Sequence, residues 1–410
     1  MKDVSILATR QAPRHEAIQA GRFNIILCRF FALALMSIIS TSPTLATQVE
    51  MVGPPNVRIP VFYATDRKAM TTNKDKNGTL IAPIAFGSSS ALLPIQDNWL
   101  APQSKELLPK FSAMGWRIDT VNSTVKPYLE IRGYVSEENP TTVVSSPIAD
   151  ASYWDNLINQ VTNSSTKTVY VYIHGFAASG INSLYAGAIL SAQTESPVIV
   201  FSWPSAGTAG LKPPHLTGKR SIRELYRADR KVIDDPQVLT DLSTTITSLK
   251  TKLPTGTKIV LVAHSLGNRL MANYLAGDSQ EILDGVYFLA ADVNQDIVEK
   301  MLKKLDSRSR YTAVYYNKND RVLKVSAAND LLDLRLTKKL GGFQWHVPGI
   351  EFVNYKEIAE PRTSDYLRVQ HYVPFDHFGS IARTGSPSHR NGEPNFVLVR
   401  RTTIEKSKAR

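Results

Sequence analysis

From Lys167 to Tyr316 short apolar runs alternate with longer stretches in which apolar residues recur every three or four positions, a rhythm that predicts strands and helices in turn. The runs at 167–175 (KTVYVYIHG), 197–203 (PVIVFSW), 259–262, 285–290 and 311–316 are rich in β-branched, leucine and aromatic residues. They suit strands covered on both faces of a parallel sheet. Helical spacing marks 180–193, 235–253, 266–276 and 294–305. In the second of these Pro236 stands in the first turn, and Val238, Leu242, Ile246, Leu249 and Leu253 form one apolar stripe. Gly277 follows the third, where a left-handed cap would close it. Strands and helices alternating at this spacing demand a mainly parallel sheet with right-handed crossovers.

Before this region the pattern is less regular. Asn56 to Arg67 (NVRIPVFYATDR) reads as a first strand, Lys126 to Ser136 as an edge strand, and Trp154 to Val161 as a short helix; 68–166 is otherwise irregular. A last strand is expected over Ile350 to Ile358. The interval 205–234 is too long for a strand-to-helix connection and carries KRSIRELYRADRKVI, which reads either as a lid over a site or as a solvated basic helix. Its Gly218-Lys219 pair is not a phosphate loop, because Arg220 stands where Ser or Thr is needed. Residues 47–410 are thus expected to form one domain, with a core at 167–385.

Composition adds three constraints. Arg22 and Arg29 precede an apolar stretch ending in Thr44-Leu45-Ala46, which predicts a signal peptide or N-terminal anchor over 1–46 and an exported protein. The net charge is +12, of which +3 lies in that leader; the surplus favours approach to anionic surfaces such as a membrane. The single cysteine, Cys28, lies in the leader ahead of its apolar core, so the body has no disulfide or thiolate chemistry.

The chemistry centres on KIVLVAHSLGNRLMANYLA, Lys258 to Ala276. Strand and helix meet with no room for a loop, so Ala263-His264-Ser265-Leu266-Gly267 must be a sharp turn with Ser265 at its apex. Small residues two before and two after the serine let the helix leave close to neighbouring strands. The serine sits at the positive end of a helix, beside free N–H groups. A hydroxyl attacks only when a base takes its proton, and the base needs a carboxylate to fix its tautomer. In turns of this kind the order is Ser, acid, His. Asp320, in the turn NKNDR, is the expected acid and Asp292 the alternative; His377, in PFDHFGSI, is the expected base and His371 the alternative. His264 reads as a packed residue. The turn after the strand at 170–173 offers the Phe176 N–H, and the elbow that of Leu266, as an oxyanion hole.

HGF, FSWPS, RELYRADR, AHSLGNRL, LAADV, YNKNDRV and the opening VFYATDR together resemble a bacterial subgroup of the esterase/lipase superfamily of α/β-hydrolases. The resemblance implies an α/β-hydrolase fold, a mostly parallel sheet with helices on both faces, and Ser265, Asp320 and His377 as triad. No histidine and carboxylate cluster at ligand spacing calls for a metal, no cofactor is expected, and the basic lid interval suits a small ester with an acyl or lipid-like part. The competing reading is a hydrolase-fold binding or scaffold protein without turnover. Nucleic-acid binding finds no support, because the basic residues are dispersed and form no recognisable module.

Overall fold

The computed structural model describes residues 56–67, 81–94, 117–119, 128–132, 151–176, 178, 180–205, 222–332, 338–342, 347, 349–355, 371 and 396–398. The expected leader at 1–46 lies outside them. In chain order the elements are β1 (Asn56–Arg67), β2 (Ile81–Pro94), β3 (Arg117–Asp119), β4 (Tyr128–Arg132), α1 (Ala151–Asn163), β5 (Thr168–Ile173), α2 (Gly180–Thr194), β6 (Val198–Ser202), α3 (Ile222–Ile233), α4 (Pro236–Lys252) and β7 (Lys258–His264). Then come α5 (Gly267–Ala276), β8 (Gly285–Leu289), α6 (Gln295–Arg308), β9 (Thr312–Tyr316), α7 (Arg321–Leu332), β10 (Ile350–Asn354) and β11 (Phe396–Leu398).

The strands form one sheet in the order β11-β10-β9-β8-β7-β5-β6-β1-β2-β4, with β3 beside β1. Every pairing from β11 across to β1 is parallel; β2 runs antiparallel to β1 and to β4, which forms the edge. All six residues of β5 are buried, as are five consecutive residues of β7. Successive side chains point to opposite faces, so the sheet is covered on both. The apolar stripe of α4 is buried throughout, and its N-terminus is capped by Asp235, whose carboxylate accepts from the Gln237 N–H ahead of the expected Pro236.

The order of the central strands positions the site. The chain steps from β5 to β6 on one side and then crosses back to lay β7 on the other side of β5. Ligands in such sheets bind at that reversal, beyond the carboxyl ends of the strands. Here those ends carry Ser265, after β7, and Gly175-Phe176, after β5.

Two expectations are corrected. The stretch read as irregular contains β2, whose sequence IAPIAFGSSSALLP shows no strand period. It is held by a ladder along β1 from Asn56 opposite Pro94 to Arg67 opposite Ile81, so long-range pairing overrides local preference. Gly277 is not a left-handed cap: its φ is −73°. The end of α5 is held instead by Arg308 and Lys304, which donate to the Gly277 carbonyl at 3.1 and 3.2 Å, and the Arg308 guanidinium lies over the Tyr274 ring.

Candidate active site

Ser265 has φ +51°, a left-handed conformation that costs a non-glycine residue on the order of 1–2 kcal/mol. The surroundings hold it there. Its N–H donates to the Leu289 carbonyl at 3.0 Å, and its own carbonyl accepts from the Asp292 N–H at 3.1 Å and from the backbone and side-chain amides of Asn268 at 3.2 and 3.0 Å. The small positions of the motif have direct causes. A Cβ on Gly267 would lie 2.4 Å from the His174 carbonyl oxygen, and one on Gly175 would lie 2.9 Å from the Ser265 Cβ. The turn and the β5 loop are therefore packed backbone to backbone.

The imidazole against Ser265 is that of His371. Its Nε2 lies 2.9 Å from Ser265 Oγ and its Nδ1 2.7 Å from Asp320 Oδ2. His377, the expected base, lies outside the described residues, and the position next to Ser265 is taken by the alternative. Both histidines follow β10 in the sequence; the helix-like context of PFDHFGSI favours His377, whereas it is His371 that reaches Asp320 and Ser265. With Asp320 accepting at Nδ1, that nitrogen carries the proton and Nε2 is free to accept from the serine hydroxyl. Burial works against a charged ring, but the Asp320 carboxylate outweighs it, with a smaller push from Asp292, and holds the His371 pKa above its ordinary 6.5.

Asp320 serves two elements at once. Its Oδ1 accepts from the Leu323 N–H at 3.0 Å, capping α7, while Oδ2 faces His371 and the more distant Tyr355 hydroxyl. The alternative acid, Asp292, is committed elsewhere. It pairs with the buried Lys339 at 2.8 Å and accepts from Tyr226 at 2.6 Å and Ser326 at 2.9 Å. Burial alone would raise its pKa; Lys339 and these donors bring it to about 2.

The loop after β5 is braced from behind. Arg67, buried at the end of β1, donates to Ser202 Oγ at 2.8 Å and to the Ser205 and Ala178 carbonyls at 3.1 and 2.8 Å. Its Nη2 also lies 3.0 Å from His174 Nε2. His174 stacks on Trp203 at 4.9 Å, and the Trp203 indole donates to the His174 carbonyl at 2.8 Å. Burial and Arg67 push the His174 pKa well down, so its ring is neutral. Its Nδ1 then donates to the Gly175 carbonyl and its Nε2 accepts from Arg67. Phe176 follows, its ring edge-on to Tyr226 at 5.5 Å. At the elbow the Ser265 N–H is spent on Leu289, which leaves the Leu266 N–H as the expected donor there.

Residues 206–221 of the expected lid interval lie outside the described residues. The remainder, α3, is pinned. Beyond Tyr226, Asp229 is fully buried and accepts from Ser205 at 2.5 Å, Arg230 pairs with Asp330, and Asp234 just after the helix accepts two bonds from Arg269 at 2.5 and 2.9 Å. Asp330 in turn pairs with Lys339 at 2.6 Å. Arg67, Asn268 and Lys339 were not picked out from the sequence. Arg67 and Asn268 stand inside quoted motifs, VFYATDR and AHSLGNRL, but Lys339 does not.

Among the described residues no group of three or more His, Cys, Asp or Glu side chains is placed to hold a metal ion, and no helix is long and apolar enough to cross a membrane.

Residues 149–338 match the family described as alpha/beta hydrolase of unknown function (DUF900), and the fold is that of the α/β-hydrolases, as the sequence motifs implied. No curated protein matches. Among solved structures, esterase PE8 is similar, with 14% identity over 55% of this chain and 94% of that one and a TM-score of 0.30. A putative dienelactone hydrolase from Klebsiella pneumoniae subsp. pneumoniae MGH 78578 is 14% identical over 52% of this chain and 82% of that one, also with a TM-score of 0.30.

Proposed function

We propose that this α/β-hydrolase is a serine hydrolase that cleaves carboxylic esters through an acyl-enzyme. The observation that carries the reading is the unbroken hydrogen-bonded line from Asp320 Oδ2 through His371 to Ser265 Oγ, with steps of 2.7 and 2.9 Å. His371 Nε2 takes the hydroxyl proton as Ser265 Oγ bonds to the ester carbonyl carbon. The imidazolium formed is stabilised by Asp320 and returns the proton to the leaving alcohol. The negative charge on the carbonyl oxygen falls to the N–H groups of Leu266 and Phe176, the first at a helix start where donors are unspent. Water then attacks the acyl-enzyme with His371 as base, releasing the acid and restoring Ser265.

Acyl or lipid-like esters are the proposed substrates and an exported, envelope-facing location the proposed setting; the leader and the basic surplus of the sequence support both. A fluorophosphonate probe tests the core of the reading. The expected result is labelling of the wild type that disappears in Ser265→Ala, together with hydrolysis of short-chain p-nitrophenyl esters. A folded wild type that resists the probe would leave the binding-protein reading in its place.

A further inference from the structure

The residue next to the nucleophile has no part in the chemistry above, yet it touches both halves of the site. His264 ends β7, and its ring lies 5.1 Å from that of His371 at an interplanar angle of 58°. Its Nε2 is 3.2 Å from the backbone oxygen of His371. A carbonyl only accepts, so this nitrogen carries the proton. Burial and the neighbouring His371 ring push the His264 pKa down to about 3, so the ring is a neutral donor across the neutral range. On its other side it faces the oxyanion loop: a Cβ on Gly175 would lie 3.1 Å from the His264 carbonyl oxygen and 3.3 Å from its Nδ1.

We propose that His264 is a positioning residue that ties the backbone of the base to the elbow, so that Ser265 and His371 keep their distance as one unit. The two bonds made by the His371 ring fix the ring tip at both nitrogens. They leave the Cα end of the side chain to be placed by something else, and the bond to its carbonyl does so. The anchor is the residue covalently joined to Ser265, so any shift of the elbow carries the base with it. Displacements of about 1 Å in such an arrangement cost on the order of a hundredfold in rate. The inference rests on the roles assigned to Ser265, His371 and Asp320.

Three groups bear on the charge of His371 among the described residues: Asp320 ahead of α7, Asp292 after β8 and His264 itself. Loosening the base from Asp320 removes the largest influence favouring its charged form, so the acid limb of kcat/KM moves down towards the ordinary histidine value. The test compares His264→Leu, which keeps bulk and loses the donor, with His264→Gln, which restores an N–H at similar reach. For the leucine variant the expected result is a ten- to hundredfold fall in kcat on p-nitrophenyl acetate, with KM within about threefold. Its acid limb is expected at lower pH, and the low-field proton resonance of His371 Nδ1–H weakened or lost. The glutamine variant is expected to recover most of each.

The inference is overturned if His264→Leu keeps kcat within twofold with an unmoved limb. It is overturned equally if the two variants lose activity and melting temperature alike, which is plain packing. If the leucine is not accommodated, His264→Phe makes the same comparison with a ring in place. A wild type that neither turns over ester nor takes the probe refutes the hydrolase reading, and the Nδ1 proton then decides separately. Its loss in His264→Leu supports the tether; its persistence refutes it.

Discussion

Asp320 and Asp292 occupy equivalent places in the sheet, each just beyond the carboxyl end of a parallel strand, β9 and β8, and each buried. What separates them is the partner. Asp320 faces an imidazole, a group that takes and gives a proton near neutral pH and whose far nitrogen reaches Ser265. Asp292 faces an ammonium and two hydroxyls in a closed cluster with Lys339, Tyr226 and Ser326, and that cluster continues through Asp330 to Arg230 on α3. On the proposed function, the same strand-end carboxylate therefore serves proton transfer in one place and holds a helix in the other. Position on the sheet edge nominates an acid; the chemistry of its neighbour decides its use.

Neutralising the two in turn is the sharpest way to break this comparison. Asp320→Asn leaves the shape intact but removes the acceptor that fixes the Nδ1–H tautomer, and kcat is expected to fall about 10³–10⁴-fold with little loss of stability beyond the cap of α7. Steady-state kinetics beside thermal melting would show it, and a fall under tenfold would remove Asp320 from the triad. Asp292→Asn is expected to do the reverse. It leaves the buried Lys339 charge with Asp330 as its one remaining carboxylate partner among the contacts described, at a cost of about 3–5 kcal/mol in denaturant unfolding, while kcat of the folded enzyme stays within about tenfold. Should Asp292→Asn prove as inactive as Asp320→Asn yet equally stable, the assignment of the two roles would have to be exchanged.

A third carboxylate widens the contrast. Asp66, near the end of β1, is fully buried and neither of its oxygens is hydrogen-bonded by another residue. Burial, with Asp241 nearby, pushes its pKa up to about 8. The folded state thus holds a proton that the unfolded chain releases near pH 4, so Asp66 destabilises the fold progressively as pH climbs from about 4 towards 8. Asp66→Asn is expected to stabilise the protein by a few kcal/mol at pH 7, at about 1.4 kcal/mol per pH unit of displaced titration, and to flatten that decline. Urea midpoints at pH 5 and pH 8 measure it; equal effects at both would show that Asp66 is ionised and paired in solution.

These three residues also show what the chain discloses on its own terms. Ser265 was legible because the strand, turn and helix that define it fit within Lys258 to Ala276. The small residues around it were legible for the same reason, and the contacts of Gly267 and Gly175 supply the cause. The base was not. His371 lies 106 positions from Ser265 and 51 from Asp320, and the local context six positions later points to His377, so only the tertiary placement of His371 brings it out. The strand β2 was hidden likewise, because its pairing with β1 and not its own pattern makes it a strand. Arg67 and Lys339 were not singled out from the sequence, because their burial depends on carbonyls and carboxylates brought from distant segments.

The smallest expected effect is the most specific to the comparison, because it asks whether the structural carboxylate is felt by the proposed base at all. His371 must be neutral to take the serine proton, so activity falls as pH drops through its pKa, and the acid limb of kcat/KM is expected above pH 6.5 because Asp320, after opposing burial, favours the charged ring. Asp292 pushes in the same direction more weakly. Removing its charge therefore lowers the His371 pKa, and Asp292→Asn is expected to move the limb down by a few tenths of a pH unit, retaining more activity at pH 6 than the wild type does. Profiles from pH 5 to 9, at a temperature where the variant is fully folded, make the measurement. A limb that stays in place would mean that Lys339, 2.8 Å from Asp292, cancels its field at the site, and the two strand-end carboxylates would then be electrostatically as well as chemically separate.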